Sequence, residues 1–225
     1  MSVSLLKPRA EKVMDGFALD PYCKLYLPLW KTDGDSFMSK DAYGHVCTRH
    51  ADAHWTPQGW SFDGTGDCLS ITHHDSLNIT NNFTLELWLK TANLTQTQAY
   101  LLHKTTNIYS LIYEFVNNQI EFFAVGYTGD DPRTGSQIPI TDIDLHHIVY
   151  SYNGNTWAGY KDLVQIFSLT KTFVLGTSSD ALYIGAYSQI AHLFAGLLPL
   201  VLLYSRALTP QEIQKHSIVG KELFG

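Results

Sequence analysis

Short stretches of alternating hydrophobic and polar residues dominate the chain from Leu25 onward. This alternation has period two and predicts β-strands that are buried on one side. It is strictest in FTLELWLK, where one face carries Phe83, Leu85, Leu87 and Leu89 and the other carries Glu86 and Trp88. Similar segments recur about every ten residues, which predicts an all-β fold, an antiparallel two-sheet sandwich of jelly-roll type.

Two hairpins are predicted where asparagine lies between strand-like segments. Asn117 and Asn118 separate SLIYEFV from QIEFFAV, and both can take the positive φ that a two-residue type I′ turn requires. Asn153 and Gly154 separate HIVYSY from NTWAGY in the same way. The sheets are therefore expected to be built largely from neighbouring antiparallel strands.

A short helix is predicted after the last strand. Thr209 is the expected N-cap, Pro210 the first helical residue and Glu212 the partner that completes a capping box. Leu208 and Ile213 flank this start as a hydrophobic staple. Residues 1–20 mix charges with apolar side chains and are predicted to be an N-terminal arm, with a helical turn around residues 10–14, ahead of a domain at 21–225.

Composition narrows the classes of function. The 225 residues are 45% hydrophobic and 16% charged, with a net charge of −6, and the 15 basic residues are scattered. A nucleic-acid partner is therefore not expected, since it needs clustered Lys and Arg. The apolar run at 197–204 is shorter than the ~20 residues of a membrane helix, and the charged N-terminus does not read as a signal peptide.

Three cysteines, Cys23, Cys47 and Cys68, allow at most one disulfide and leave one thiol over. Their spacing matches no zinc motif. They are predicted to be small buried core residues.

Five segments together resemble a known family. They are LYLPLWKTDG (25–34), SFDGTGDCLSI…HHDSLNITNNFTLELWLK (61–90), LHHIVYSYNGN (145–155), ALYIGAY (181–187) and AGLLPLVLLYSRALTPQEI (195–213). In this order they resemble laminin-G-like jelly-roll domains of the concanavalin A-like lectin and glucanase superfamily. The resemblance implies the fold and leaves the function open. Such domains bind glycans or proteins, hold calcium or serve as structural parts, and most are not catalytic.

No catalytic residues are predicted. Glucanases of this superfamily use two carboxylates on one strand face, at spacing i, i+2, i+4. The nearest candidates, Asp142 and Asp144, are followed by His146 at the third position, and Glu86 stands alone. The chain is therefore expected not to be an enzyme.

No transition-metal site is predicted either. The pairs His73-His74 and His146-His147 would point to opposite faces of a strand, so neither pair can easily chelate one ion. One calcium ion is left open as a cofactor, because hard cations take several loop oxygens. The candidate ligands are Asp63, Asp67, Asp130 and Asp131.

A glycan site is predicted near the hairpin ends. Exposed aromatic side chains beside acids and Arg would form it, and the candidates are Tyr127, Asp130, Asp131, Arg133 and Trp157. The alternative for Trp157 is packing against a cross-strand neighbour.

The last strand carries no charge on either face. Its outward side is expected to present Leu198, Leu200, Leu202 and Tyr204, and relatives carry charges at positions 200 and 202. A strand that is apolar on both sides is typically buried on both sides. The expected cover is either a second subunit or the arm, through Leu5, Leu6, Val13, Met14 and Phe17.

These observations predict a non-enzymatic structural or adhesion module that works by self-association, or by assembly with other virion or surface proteins. By analogy of fold, a capsid-decorating or tail component of a phage is expected, located on the virion or outside the cell. The alternatives are a secreted carbohydrate-binding module and, third, a glycoside hydrolase.

Overall fold

A computed structural model of the protein describes residues 16–17, 20–96 and 98–225. The predicted helical turn at 10–14 and most of the arm lie outside these residues. Within them, two eight-stranded antiparallel sheets pack face to face, and a two-stranded ribbon joins two loops. The predicted two-sheet β-sandwich is confirmed.

The strands are short, as the spacing of the alternating segments predicts. In chain order they are β1 (Cys23–Pro28), β2 (Ser36–Met38), β3 (Val46–His50), β4 (His54–Thr56), β5 (Gly59–Asp63), β6 (Cys68–Ile71), β7 (Phe83–Thr91), β8 (Ala99–Lys104), β9 (Tyr109–Glu114), β10 (Gln119–Phe123), β11 (Thr128–Gly129), β12 (Ile138–Pro139), β13 (His146–Tyr152), β14 (Thr156–Lys161), β15 (Val164–Thr170), β16 (Phe173–Val174), β17 (Leu182–Ile184) and β18 (Ala195–Tyr204). Helical elements are the 3₁₀ turns Asp75–Leu77 and Thr105–Asn107 and the helix α1 (Pro210–Phe224).

The first sheet, called the covered sheet below, has the order β15-β14-β13-β7-β18-β5-β4, with β1 also paired to β18. The second, called the open sheet, has the order β12-β10-β9-β8-β17-β6-β3-β2. The core lies between them and contains Leu85, Leu87 and Leu89 of β7, as the alternation predicts. The three cysteines are buried free thiols, also as predicted.

Helix α1 begins where the sequence predicts and lies on the outer face of the covered sheet. The Thr209 side chain accepts the N–H of Glu212, and the Glu212 carboxylate accepts the N–H of Thr209 at 2.8 Å. Ile213 and Phe224 of the helix join a second hydrophobic cluster on that face. None of the helices in the described part of the chain is long and apolar enough to cross a membrane.

Helix α1 supplies the cover that the uncharged strand β18 needs. Leu200, Leu202 and Tyr204 are 0% exposed and pack in the cluster beneath the helix, together with Phe17 of the arm. The predicted intermolecular interface at Leu198, Leu200, Leu202 and Tyr204 is therefore wrong, because one chain already buries all four side chains.

Leu198 also faces the side opposite to the one predicted. A β-bulge interrupts the pairing of β18 with β7 between Leu197 and Leu200. The extra residue shifts the alternation, so Leu198 packs between the two sheets with Val201 and Leu203. Pro199 lies at this irregularity, where the missing N–H removes no regular ladder bond.

Both predicted hairpins form, but with longer loops. Residues 115–118 join β9 to β10, and of the two asparagines Asn118 takes a positive φ of 48°. Residues 153–155 join β13 to β14, with Gly154 at φ 90°. A two-residue turn with positive φ at both positions occurs instead at Asp162 and Leu163, which the sequence analysis missed.

Candidate functional site on the open sheet

One row of side chains crosses the solvent-facing side of the open sheet. The strand register places in it, from one edge inward, Ser36, Thr48, Ser70, Tyr183, His103, Ser110 and Phe123. Adjacent strands lie about 4.8 Å apart, so the row spans about 14 Å from Tyr183 to Phe123. We call it the cross-strand row.

An aromatic cluster surrounds His103 in this row. The Tyr187 ring stacks on the His103 imidazole with 4.5 Å between ring centres, and the Tyr100 ring meets the imidazole edge-on at 5.0 Å. Tyr100 and Tyr187 contact each other at 5.1 Å, and His192 contacts both. Tyr187 and His192 come from the loop between β17 and β18, so the cluster depends on that loop packing against the sheet.

The His103 imidazole is 0% exposed, and only one of its two ring nitrogens has a hydrogen-bond partner among the described residues. Its Nδ1 lies 2.8 Å from the hydroxyl of Ser110, whereas its Nε2 has no hydrogen-bond partner among the described residues. Burial lowers the pKa of His103 to about 4, so the ring is neutral at pH 7. A buried polar group without a partner costs on the order of 1–3 kcal/mol.

Three tyrosine side chains in the row and in its aromatic cluster differ from the tyrosines of the core. The side chains of Tyr100, Tyr183 and Tyr187 make no hydrogen bond to any described residue. In contrast, the core residues Tyr109 and Tyr150 donate their hydroxyls to backbone carbonyls, at 2.7 and 2.8 Å. The open sheet therefore displays aromatic rings and unpaired polar groups side by side.

The row ends at the loop between β11 and β12. The Arg133 guanidinium lies 5.4 Å from the centre of the Phe123 ring. Its Nε and Nη2 donate to the two carboxylate oxygens of Asp131, both at 2.9 Å. This hydrogen bonding lowers the pKa of Asp131 to about 2, so at neutral pH the two charges neutralise each other beside the row.

Three of the five predicted ligand residues lie on this loop, and a fourth, Tyr127, directly precedes β11. Tyr127, Asp130, Asp131 and Arg133 are half-buried or exposed. Trp157 is 0% exposed in the core, and its indole N–H donates to a backbone carbonyl of the same loop at 2.9 Å. The prediction of Trp157 as an exposed platform is therefore wrong, and its packing alternative is the one observed.

A buried cluster under helix α1 was missed by the sequence analysis. The Oε1 of Glu86 lies 2.8 Å from Nε2 of His147, and the Oε2 lies 2.8 Å from Nδ1 of His216. Burial alone would raise the pKa of Glu86, but the two imidazoles outweigh burial and lower it to about 2. Each of these residues is at most 1% exposed, so the cluster joins β7, β13 and α1 without facing solvent.

The nearest match to a glucanase carboxylate pair serves a different role. His146 places Nδ1 2.7 Å from a carboxylate oxygen of Asp162 and Nε2 2.9 Å from one of Asp142. The hydrogen bond to Asp162 raises the pKa of His146, against the opposing effect of burial. Asp142 and Asp144 lie in the loop before β13, and Asp142 accepts the N–H of Asp144 at 3.0 Å.

The carboxylates considered for calcium accept backbone N–H groups. Asp67 accepts from Asp52 and Asp63, at 2.8 and 3.0 Å, and Asp130 accepts from Thr172 at 2.7 Å. Across the described ranges, no group of three or more His, Cys, Asp or Glu is arranged to hold a metal ion. The calcium ion stays a prediction.

The comparison by sequence identifies one family. Laminin_G_3, described as the Concanavalin A-like lectin/glucanases superfamily, matches residues 63–214. No curated protein matches the chain.

Solved structures resemble the chain at low sequence identity. The Trypanosoma rangeli sialidase in complex with sialic acid has a TM-score of 0.64 and 20% identity over 89% of this chain, which spans 33% of the sialidase. Domain 4 of AbnA, a GH43 extracellular arabinanase from Geobacillus stearothermophilus, in complex with arabinotriose, has a TM-score of 0.61 and 17% identity, over 88% of this chain and 98% of that domain. The receptor binding domain of botulinum neurotoxin C/D mosaic serotype has a TM-score of 0.63 and 12% identity, over 89% of this chain and 51% of that one. These likenesses concern the fold alone.

Proposed function

The chain belongs to the concanavalin A-like lectin/glucanase superfamily, and on that premise we propose that it is a non-catalytic carbohydrate-binding module. The observation that carries the proposal is the group of hydroxyls of Tyr100, Tyr183 and Tyr187 around the ring of His103, which have no hydrogen-bond partner among the described residues. Sugars combine many hydroxyls with an apolar C–H face. Aromatic rings beside unpaired polar groups suit both properties.

Two of the similar structures hold sugars, namely sialic acid in the sialidase and arabinotriose in the arabinanase domain. The arabinanase domain is matched over 98% of its length. It therefore supports the idea that a domain of this size and fold binds a glycan without a further domain.

The carboxylates of the chain favour binding over hydrolysis. Hydrolysis by a carboxylate pair needs two acids that flank one glycosidic bond. Asp142 is bonded to His146, and Glu86 is buried beneath helix α1. Glu114 accepts the N–H of Val116 at 3.1 Å and so holds the loop between β9 and β10.

Self-association and a virion role stay predictions. Their basis was the uncharged last strand, and helix α1 already covers that strand within one chain. Glycan binding fits a position on a virion and a position outside the cell equally well.

A glycan array followed by calorimetry tests the proposal. We expect the wild-type chain to bind at least one glycan, and Tyr183→Ala to lower the affinity tenfold or more, because contacting tyrosines often contribute over 1.4 kcal/mol. Tyr22→Ala is the matched control, since Tyr22 is 54% exposed and lies away from the open sheet. Absence of any bound glycan, or equal losses in both variants, would reject the proposal.

A further inference from the structure

Two carboxylates on the outward side of β9 and β10 have no cation partner among the described residues. Glu114 and Glu121 lie on the same face of β9 and β10 as Ser110 and Phe123, by the alternation of these strands. Glu121 accepts a hydrogen bond from Gln119 at 2.6 Å. None of the ion pairs among the described residues includes Glu114 or Glu121.

The cations at the end of the row are already engaged. Both carboxylate oxygens of Asp131 hold Arg133. Lys171 donates to the backbone carbonyls of Asp131 and Thr134, and the carboxylate of Asp130 is on the same loop. A ligand carboxylate entering the site beside Phe123 would therefore approach the negative charge of Glu121, with Glu114 farther along β9, while Arg133 and Lys171 are already engaged.

The row carries exposed parts of aromatic rings at two separate places. Tyr183, with Tyr100 and Tyr187 close by, forms one of them, and Phe123 beneath Arg133 forms the other. The strands between contribute His103 and the small Ser110, both 0% exposed, with the Tyr187 ring stacked on His103. The separation of about 14 Å is close to the length of about three linked sugar rings.

We propose that the open-sheet site binds a neutral oligosaccharide of about three sugar units, laid across the strands, and discriminates against acidic glycans. This inference rests on the proposed function. It adds the charge class of the ligand, its direction and its length.

The charge class is tested with paired probes of the same linkage and length. The pairs are cellotriose with its C6-carboxylated form, mannotriose with the mannuronic trimer, and galactotriose with the galacturonic trimer. We expect the neutral member of each bound pair to bind at least tenfold more tightly. The ratio of the affinity for the neutral member to that for the acidic member should fall about three- to tenfold in Glu121→Gln at low salt. In the wild type, 0.5 M NaCl should also lower this ratio.

Glu222→Gln is the matched control, because Glu222 is exposed on helix α1, away from the open sheet. It should leave the ratio unchanged. Equal or tighter binding of the acidic members would overturn the inference while the proposed function stands. Binding of none of these probes, together with an empty glycan array, would reject both.

The length and direction are tested with oligomers of one to six units of the bound neutral sugar. The affinity should rise up to about three units and then level off. Phe123→Ala should remove the gain between the dimer and the trimer without weakening the dimer, whereas Phe115→Ala should change neither, since Phe115 is 43% exposed on the loop after β9. Affinity that is already maximal for the dimer, or a Phe123→Ala variant that folds with the wild-type melting temperature and binds the trimer normally, would overturn this geometry.

Discussion

The cover provided by helix α1 predicts unequal stability costs for two isoleucines on the same helix. Ile213 is 2% exposed and packs in the cluster beneath the helix, whereas Ile218 is 46% exposed. Replacing Ile213 by Ala removes three carbon atoms, which at roughly 0.8 kcal/mol per buried methylene amounts to about 2.4 kcal/mol. The cavity left behind should bring the total to about 3 kcal/mol or slightly more. Ile218→Ala should change the stability by no more than about 0.5 kcal/mol, because the side chain is half exposed and Ala favours the helix.

Urea unfolding followed by tryptophan fluorescence measures both costs. Trp30 and Trp88 contact Phe224 of the helix, with ring centres 4.7 and 5.4 Å apart, so their emission reports on helix packing. Ile213→Ala should lower the midpoint at an unchanged m-value. A loss below 1 kcal/mol for Ile213→Ala, or equal losses in the two variants, would refute the account of how β18 is covered.

Three further predictions concern polar and close-packed contacts. His146→Gln should lower the free energy of unfolding most below pH about 6.5, because the raised pKa of His146 means that the protonated ring stabilises the fold there. The loss should shrink as the pH rises through the pKa of His146 in the folded chain. Urea unfolding at several pH values measures it, and a loss that does not vary with pH would contradict this. Glu86→Gln should lower the free energy of unfolding at pH 7, because the lowered pKa of Glu86 means that its ionised form stabilises the fold. This loss should become smaller as the pH falls from about 4.5 towards 2, and a loss that persists at pH 2 would count against the prediction. Gly220→Ala should destabilise by about 1–3 kcal/mol despite the better helix propensity of Ala, because a Cβ would overlap the Trp88 indole; a rise in melting temperature would disprove that contact.

The parts of the fold that follow from local patterns could be predicted from the sequence. The period-two alternation of β7 assigned Leu85 and Leu87 to the core and Glu86 to the other face, as observed. The capping box at Thr209 and Glu212 also formed as predicted. Both signals involve residues within a few positions of each other, so the sequence contains all the information that they need.

The remaining features depend on contacts between distant segments. Helix α1 was predicted, but where it packs depends on its partners, such as His216 bonded to Glu86, 130 residues earlier. The bulge before Leu200 leaves no mark in the hydrophobic pattern, so the side on which Leu198 lies was assigned wrongly. Trp157 lies near a hairpin end, where the pattern alone does not show whether a loop folds over it.

The residues of the candidate site were missed in part for the same reason. Arg133 and Tyr127 were found because acids and aromatics cluster within a short stretch of loop. His103 and Tyr183 were not found, because β8 and β17 become neighbours only in the folded sheet, where these two residues pair directly. A search for aromatic residues at outward positions of several strands could have found them, if the strand order had been known.

The uncharged last strand packs against a helix of the same chain and not against a second subunit, which changes its meaning for the proposed function. A two-sheet sandwich has two outer faces, and helix α1 packs on the one where β18 presents hydrophobic side chains. Within the described residues, the other outer face keeps half-exposed aromatic and polar side chains such as Tyr183 and Phe123. The leucines predicted to form an interface thus pack beneath helix α1 on one sheet, and the opposite sheet carries the proposed glycan site.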